Sequence, residues 1–327
     1  MQDIEKRAKD LDAVRKIRIL GSKEIDVDKW ANESEVSRHV KSPYDWLIEI
    51  VEEYETPKAV PKTQLPWAKT FDSFDFRPGE VTLYAGTNGG GKSLATGQIA
   101  LGLIKQGQKV CIASFEMKPK RTILRMLRQF GRFNFEELAF DRAGQVGKLA
   151  FEFGEWAEGY LWLYDQQGST SARQVIAMAR YCAVKLEIQH IFIDSLMKCV
   201  SGEDAYNEQK DFVDQLCALA RDHNVHIHLV HHVRKASSEE TKPNKMDIKG
   251  SGSITDQVDN VFIWWRNKKK EHDAQNGNAD PSQPDASLMC EKQRNGEAEN
   301  WYSLWYDKPS QQFVEVNCGQ PMTWERT

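Results

Sequence analysis

Several features that would place a protein quickly are missing from this chain of 327 residues. No stretch approaches the roughly 18 consecutive apolar residues that a membrane-spanning helix needs. The first residues, MQDIEKRAKDLDAVRK, lack the apolar centre of a secretion signal. Six cysteines (Cys111, Cys182, Cys199, Cys217, Cys290 and Cys318) form neither a CxxC pair nor a Cys/His cluster. Reduced, buried thiols are therefore expected, not disulfides or a zinc site. Basic charge is not in excess, because 44 Lys and Arg stand against 48 Asp and Glu, a formal net charge of -4. A generally basic, histone-like binder is excluded, and no internal repeat suggests a solenoid. These absences predict a soluble cytoplasmic protein with no membrane partner.

What is present predicts a folded α/β chain. Hydrophobic residues make up 40% and charged residues 28%, well away from the composition of disorder. Residues 1–66 read as an N-terminal segment: KRAKDLDAVRK helical, IRIL a short strand, SEVSRHV and DWLIEIVEEYE helical, and TPKAVPKTQLP a proline-punctuated linker. Residues 67–327 read as one larger domain. Short apolar runs at 80–86, 109–116, 160–165, 188–195 and 225–232 alternate with helical stretches, which indicates βαβ crossovers and a mainly parallel sheet. After them NVFIWWR, the stretch around ASLMCEKQRNG, ENWYSLWYD and QQFVEV read as strands with no helix between them, an antiparallel C-terminal extension. The polar stretch HDAQNGNADPSQPDA reads as a surface loop.

Gly86, Thr87, Asn88, Gly89, Gly90, Gly91, Lys92 and Ser93 fit GxxxxGK[ST] between a strand and a helix. Glycine backbone there lets successive N–H groups wrap phosphates. Lys92 reaches the terminal phosphates, Ser93 ligates magnesium, and the helix N-terminus adds its positive dipole end. The motif predicts a nucleoside triphosphate, ATP or another, together with Mg²⁺. Asp194 ends the run Ile191-Phe192-Ile193 and suits a carboxylate that completes the magnesium shell. Ser195 follows it, so a base for the attacking water must come from another strand; Glu116, after the strand that follows the P-loop helix, is the candidate.

SFEMKP, HIFIDS, HLVHHVRK and DIKGSGSITDQVDNVFIWWRN, in that order, resemble the RecA-like domain of ring-shaped replicative helicases. That family includes bacterial DnaB, the phage primase-helicases and mitochondrial Twinkle, and the likeness covers roughly residues 67–317. It implies a RecA-like P-loop NTPase, a homo-hexamer with ATP sites between subunits, and translocation on single-stranded DNA that unwinds the duplex. By the same resemblance Glu116 is the catalytic glutamate and His232 the γ-phosphate sensor, with His231 facing the other way as the fallback. Arg294 and Lys292 correspond to the arginine finger and its partner, acting on the next subunit's nucleotide. Arg266 and Tyr306 correspond to a pair that sandwiches the base, with packing a rival role for Tyr306.

DNA contact is expected from 233–250, which carries Arg234, Lys235, Lys242, Lys245 and Lys249 against three acidic residues, net +2, and ends at the flexible Gly250. The basic helix with Lys118, Lys120, Arg121, Arg125, Arg128 and Arg132 reads as a solvated or subunit-contact face. VRKIRILGSKEIDVDKWANES resembles, in shortened form, the end of a TOPRIM primase fold, which implies a primase or TOPRIM domain in a longer parent chain. The competing functions are a RecA-like, DNA-dependent ATPase of recombinase or regulatory type that does not unwind, and a small-molecule P-loop kinase. The adjacent Trp264 and Trp265 do not discriminate among them.

Overall fold

The computed structural model describes residues 18–21, 24–32, 47, 51, 62–138, 140–200, 205–234, 241–249, 252–278 and 280–325. Of the expected N-terminal helices, those at 6–16 and 34–40 lie outside the described residues, and of the one at 45–55 only Leu47 and Val51 are described, both helical.

Ten strands form one sheet. In chain order they are β1 (Arg18–Gly21), β2 (Val81–Gly86), β3 (Val110–Ser114), β4 (Leu161–Asp165), β5 (His190–Asp194), β6 (His226–His232), β7 (Asn260–Arg266), β8 (Ala286–Gln293), β9 (Trp301–Asp307) and β10 (Gln312–Val314). The order across the sheet is β1-β4-β3-β5-β6-β2-β7-β8-β9-β10. Pairing is parallel from β1 to β7 and antiparallel from β7 to β10. β1 of the N-terminal segment thus closes one edge against β4, and Leu65 and Trp67 are already core residues.

The helices are α1 (Val27–Asn32), α2 (Lys92–Lys105), α3 (Pro119–Gly131), α4 (Arg142–Ala157), α5 (Ala172–Lys185), α6 (Tyr206–His223), α7 (Gly252–Gln257) and α8 (Lys268–Gln275). Their boundaries follow local chemistry. Pro119 opens α3 where its missing N–H costs nothing. Asp141 and Ser171 cap α4 and α5 through Gly144 N and Gln174 N, and Asn224 ends α6 in the left-handed region. Two cores flank the sheet. α1, α5, α6 and α7 cover one face, while α2, α3 and α4 cover the other together with Trp67, Phe313 and Trp324.

The extension departs from expectation at one point: α8 lies between β7 and β8 and takes in the first residues of the stretch read as a polar loop. Its sequence, KKKEHDAQ, shows no apolar stripe. The helix is held instead by the Asn267 cap on Lys270 N and by Lys270, whose ammonium meets Asp285 at 2.8 Å and Gln283 O at 2.6 Å. Among the described residues no helix is long and apolar enough to cross a membrane.

β2 occupies the middle of the sheet, so the C-terminal ends of β2, β3, β5 and β6 gather at one rim. Gly86 pairs with His232 on one side and Trp264 on the other, and Ser114 pairs with Asp194. Ligand sites of parallel sheets form at such a rim.

Candidate nucleotide site and its adjoining loop

The P-loop leaves β2 at Gly86, where a Cβ would lie 2.4 Å from the Trp264 carbonyl oxygen, so only glycine fits. Gly91, at φ +92°, caps α2 in a conformation that L side chains rarely adopt. Gly90 N donates to Thr87 O at 3.2 Å and closes the loop. Lys92 Nζ donates to the carbonyls of Gly86 and Thr87, both at 2.8 Å, and is buried. Burial brings its pKa down to about 8, against the opposing pull of Asp194 and Glu116.

Ser93 Oγ donates to Asp194 Oδ2 at 2.8 Å. A hydroxyl and a carboxylate side by side at the start of α2 are hard oxygen donors that suit magnesium. Burial pushes the Asp194 carboxyl above its ordinary range, partly offset by the Ser93 hydrogen bond. Glu116 stands just past β3. It accepts from Ser195 Oγ at 3.0 Å and meets His232 Nε2 at 3.4 Å. The His232 hydrogen bond, opposed by partial burial and supported by Ser195, holds the Glu116 carboxyl down to about 2.

The two histidines that end β6 do face opposite ways. His231 is buried with Nε2 at 2.7 Å from Lys249 O, and burial brings its pKa down to about 4. His232 turns to Glu116 and leaves its Nδ1 without a hydrogen-bond partner.

A cavity of about 830 Å³ joins these groups: Asn88 to Ser93, Glu116, Asp194, His232 and Arg266 border it. So do Arg121, Arg125 and Arg128 of α3, which corrects the solvated or subunit-contact reading of the basic helix for that stripe. Spacing of i, i+4 and i+7 puts the three on one face, a pattern visible in the sequence. Arg128 is anchored to the carbonyls of Lys308 and Pro309, both at 2.8 Å. Sequence reasoning also missed Trp264, whose Nε1 donates to Gly90 O at 2.7 Å and braces the P-loop from β7. Nothing in the local pattern marked that tryptophan, because the contact joins residues 174 positions apart.

Arg266 and Tyr306 lie together, as expected for a base-binding pair, but against each other. The guanidinium sits 5.4 Å from the tyrosine ring centre, and Glu271 holds it through Nε. A base sandwiched between them requires the pair to part; as placed, they offer the arginine side to the cavity. Lys292 and Arg294 do not border the cavity of their own chain. Lys292 Nζ donates to the carbonyls of Thr255, Asp256 and Val258 at 2.8, 3.0 and 2.8 Å. Arg294 donates to Asp256 O at 2.8 Å and Gln257 O at 3.2 Å, and pairs with Asp259 at 3.3 Å. Both therefore cap the C-terminal end of α7, where cations are favoured.

The cationic loop starts directly at His232. Val233 bridges Ile248, Arg234 N donates to Asp247 O at 2.7 Å, and Lys249 N donates to His232 O at 3.0 Å. Lys245 stands in a short 3₁₀ turn capped by Asn244, and its ammonium reaches Glu291 O at 3.5 Å. Lys235 and Gly250 lie outside the described residues.

The family model of the DnaB-like helicase C terminal domain matches residues 71–315. Over 203 residues the chain is 27% identical to the replicative DNA helicase DnaB of Geobacillus stearothermophilus, covering 59% of this chain and 42% of that protein. Over 223 residues it is 25% identical to the replicative DNA helicase DnaC of Bacillus subtilis (strain 168), covering 65% and 47%. The chain thus spans less than half the length of these curated relatives. Among solved structures, the ATPase domain of a phage helicase superposes with a TM-score of 0.70 at 18% identity, over 85% of this chain and all of that one. A DnaB-like replicative helicase, described with its interactions with primase, gives 0.66 at 17% identity, over 86% and 68%. At such identities the structures are similar to this one in fold.

Proposed function

The chain belongs to the DnaB-like helicase C-terminal domain family, and on that footing we propose that it is the motor of an ATP-driven replicative DNA helicase. In this reading it works in the cytoplasm as a ring hexamer, with ATP sites between subunits. It translocates on single-stranded DNA and has a primase as partner. One observation carries the reading: the loop that holds the cationic side chains is hydrogen-bonded to the residue that faces the catalytic carboxylate, through Lys249 N and His232 O at 3.0 Å.

The chemistry follows from the residues. Lys92 exchanges its two carbonyl contacts for phosphate oxygens, and the P-loop N–H groups take the remaining phosphate charge. Ser93 and Asp194 would hold magnesium, which neutralises phosphate charge. Glu116 orients the attacking water and accepts its proton. With a pKa of about 2 it is ionised at every working pH but weakly basic. If His232 swings its ring from Glu116 to the γ-phosphate, the carboxylate loses the contact that most depresses it and becomes a better base. The base thus gains strength when nucleotide is in place. The same movement pulls on the neck at Lys249 and so on the DNA loop, where Arg234, Lys235, Lys245 and Lys249 and the Gly250 backbone track phosphates without reading bases. Arg294 and Lys292, released from α7, reach the neighbour's nucleotide, and the three α3 arginines add cationic charge to their own chain's cavity.

ATP hydrolysis measured with and without single-stranded DNA tests the reading. Stimulation that Lys92→Ala abolishes is expected. Hydrolysis indifferent to DNA would contradict it and favour a small-molecule kinase.

A further inference from the structure

Trp301, the first residue of β9, is 61% exposed, an unusual position for the largest side chain. Its face of the sheet is fixed by register. Trp265 on β7 pairs with Ser287 on β8, and Ser287 with Ser303 on β9, two residues from Trp301. Trp265 and Trp301 therefore share a face, opposite to the one from which Trp264 braces the P-loop.

Lys242, from the cationic loop, places its ammonium 4.8 Å from the Trp265 ring centre and 5.4 Å from that of Trp301. Lys245 reaches Glu291 O, two residues from the Met289 that pairs with Trp301. The loop thus lies against β9, and its two lysines flank a broad, open indole. An apolar protein surface would have to bury these two ammonium groups, whereas a single strand of nucleic acid offers phosphates to them and a free base face to the ring.

We infer that Trp301 is a base-stacking platform for single-stranded nucleic acid, with Lys242 and Lys245 taking the adjacent phosphates. This rests on the motor reading above and adds to it an indole contact outside the loop. Stacking on an indole is tolerant of sequence, because every base has a π face, and so suits a translocating protein.

The test uses the whole chain with a non-hydrolysable ATP analogue and two fluorescent probes, a 20-nucleotide oligothymidylate and an abasic oligomer of the same length. Trp301→Ala should weaken oligothymidylate binding about fivefold or more and leave the abasic oligomer unchanged; Trp301→Phe should recover most of the loss. Equal weakening on both probes would mean that the ring only anchors the loop, and an unchanged affinity for oligothymidylate would mean that no base stacks there; either overturns the inference and spares the motor reading. Failure of the unaltered chain to bind either probe overturns both.

Discussion

Arg294→Ala separates a structural from a trans-acting role. In its own chain Arg294 holds two carbonyls at the end of α7 and Asp259, with 41% of its side chain exposed. Contacts screened to that degree contribute about 0.5–1 kcal/mol, so the urea midpoint should move little. Lys292→Ala is the internal control. It strips three half-buried carbonyls of one shared donor and should be less stable by about 1–3 kcal/mol. If Arg294 stabilises the transition state in a neighbour's site, its loss should slow hydrolysis about a thousandfold or more, far beyond what its contacts here explain. Mixing then decides where it acts. In an equal mixture of Arg294→Ala and Lys92→Ala chains, about a quarter of randomly formed head-to-tail interfaces join an intact P-loop to an intact arginine, and activity returns in that proportion. A mixture as inactive as its components, or an Arg294→Ala chain that hydrolyses normally, would refute the reasoning.

Other expectations follow from the same geometry. Trp264→Phe leaves Gly90 O without its donor at a buried site, which should weaken nucleotide binding by about 1–3 kcal/mol, read by titration with a fluorescent ATP analogue. Glu116→Gln should retain nucleotide binding while hydrolysis falls by about a hundredfold or more in single turnovers. Acid should destabilise the fold. His226 and His231, buried at β6, have pKa values lowered to about 4 against 6.5 for a free histidine, and burial also lowers His190 and His228. The unfolded chain takes up these protons first, so the stability present above pH 6.5 is lost as pH falls towards 4, by about 2 kcal/mol for each of the first two at pH 5. Asp194, raised by burial, works in the opposite sense but is a single group. Urea midpoints between pH 7.5 and 5 read the net effect, and a flat profile would contradict it.

The features legible in the sequence are those with a local requirement. The P-loop demands glycine where side chains cannot sit, β strands announce themselves as apolar runs, and Asp194, Glu116 and His232 each end such a run. What was not legible depends on pairings across the sheet. α8 is polar on every side and is held by Asn267 and Lys270, so periodicity did not find it. The brace from Trp264 to Gly90, the intrachain capping by Lys292 and Arg294, and the contact of Arg266 with Tyr306 all follow from β7, β8 and β9 lying side by side. The three α3 arginines were an avoidable miss: counting charge along the helix concealed that Arg121, Arg125 and Arg128 form one stripe.

The central claim, that hydrolysis at this P-loop drives strand separation, meets its most direct test on a forked duplex with a labelled strand. Displacement that requires ATP and disappears with Lys92→Ala is the predicted result. ATP-dependent filaments or strand exchange without displacement would contradict it and assign the chain to the recombinase-like ATPases instead.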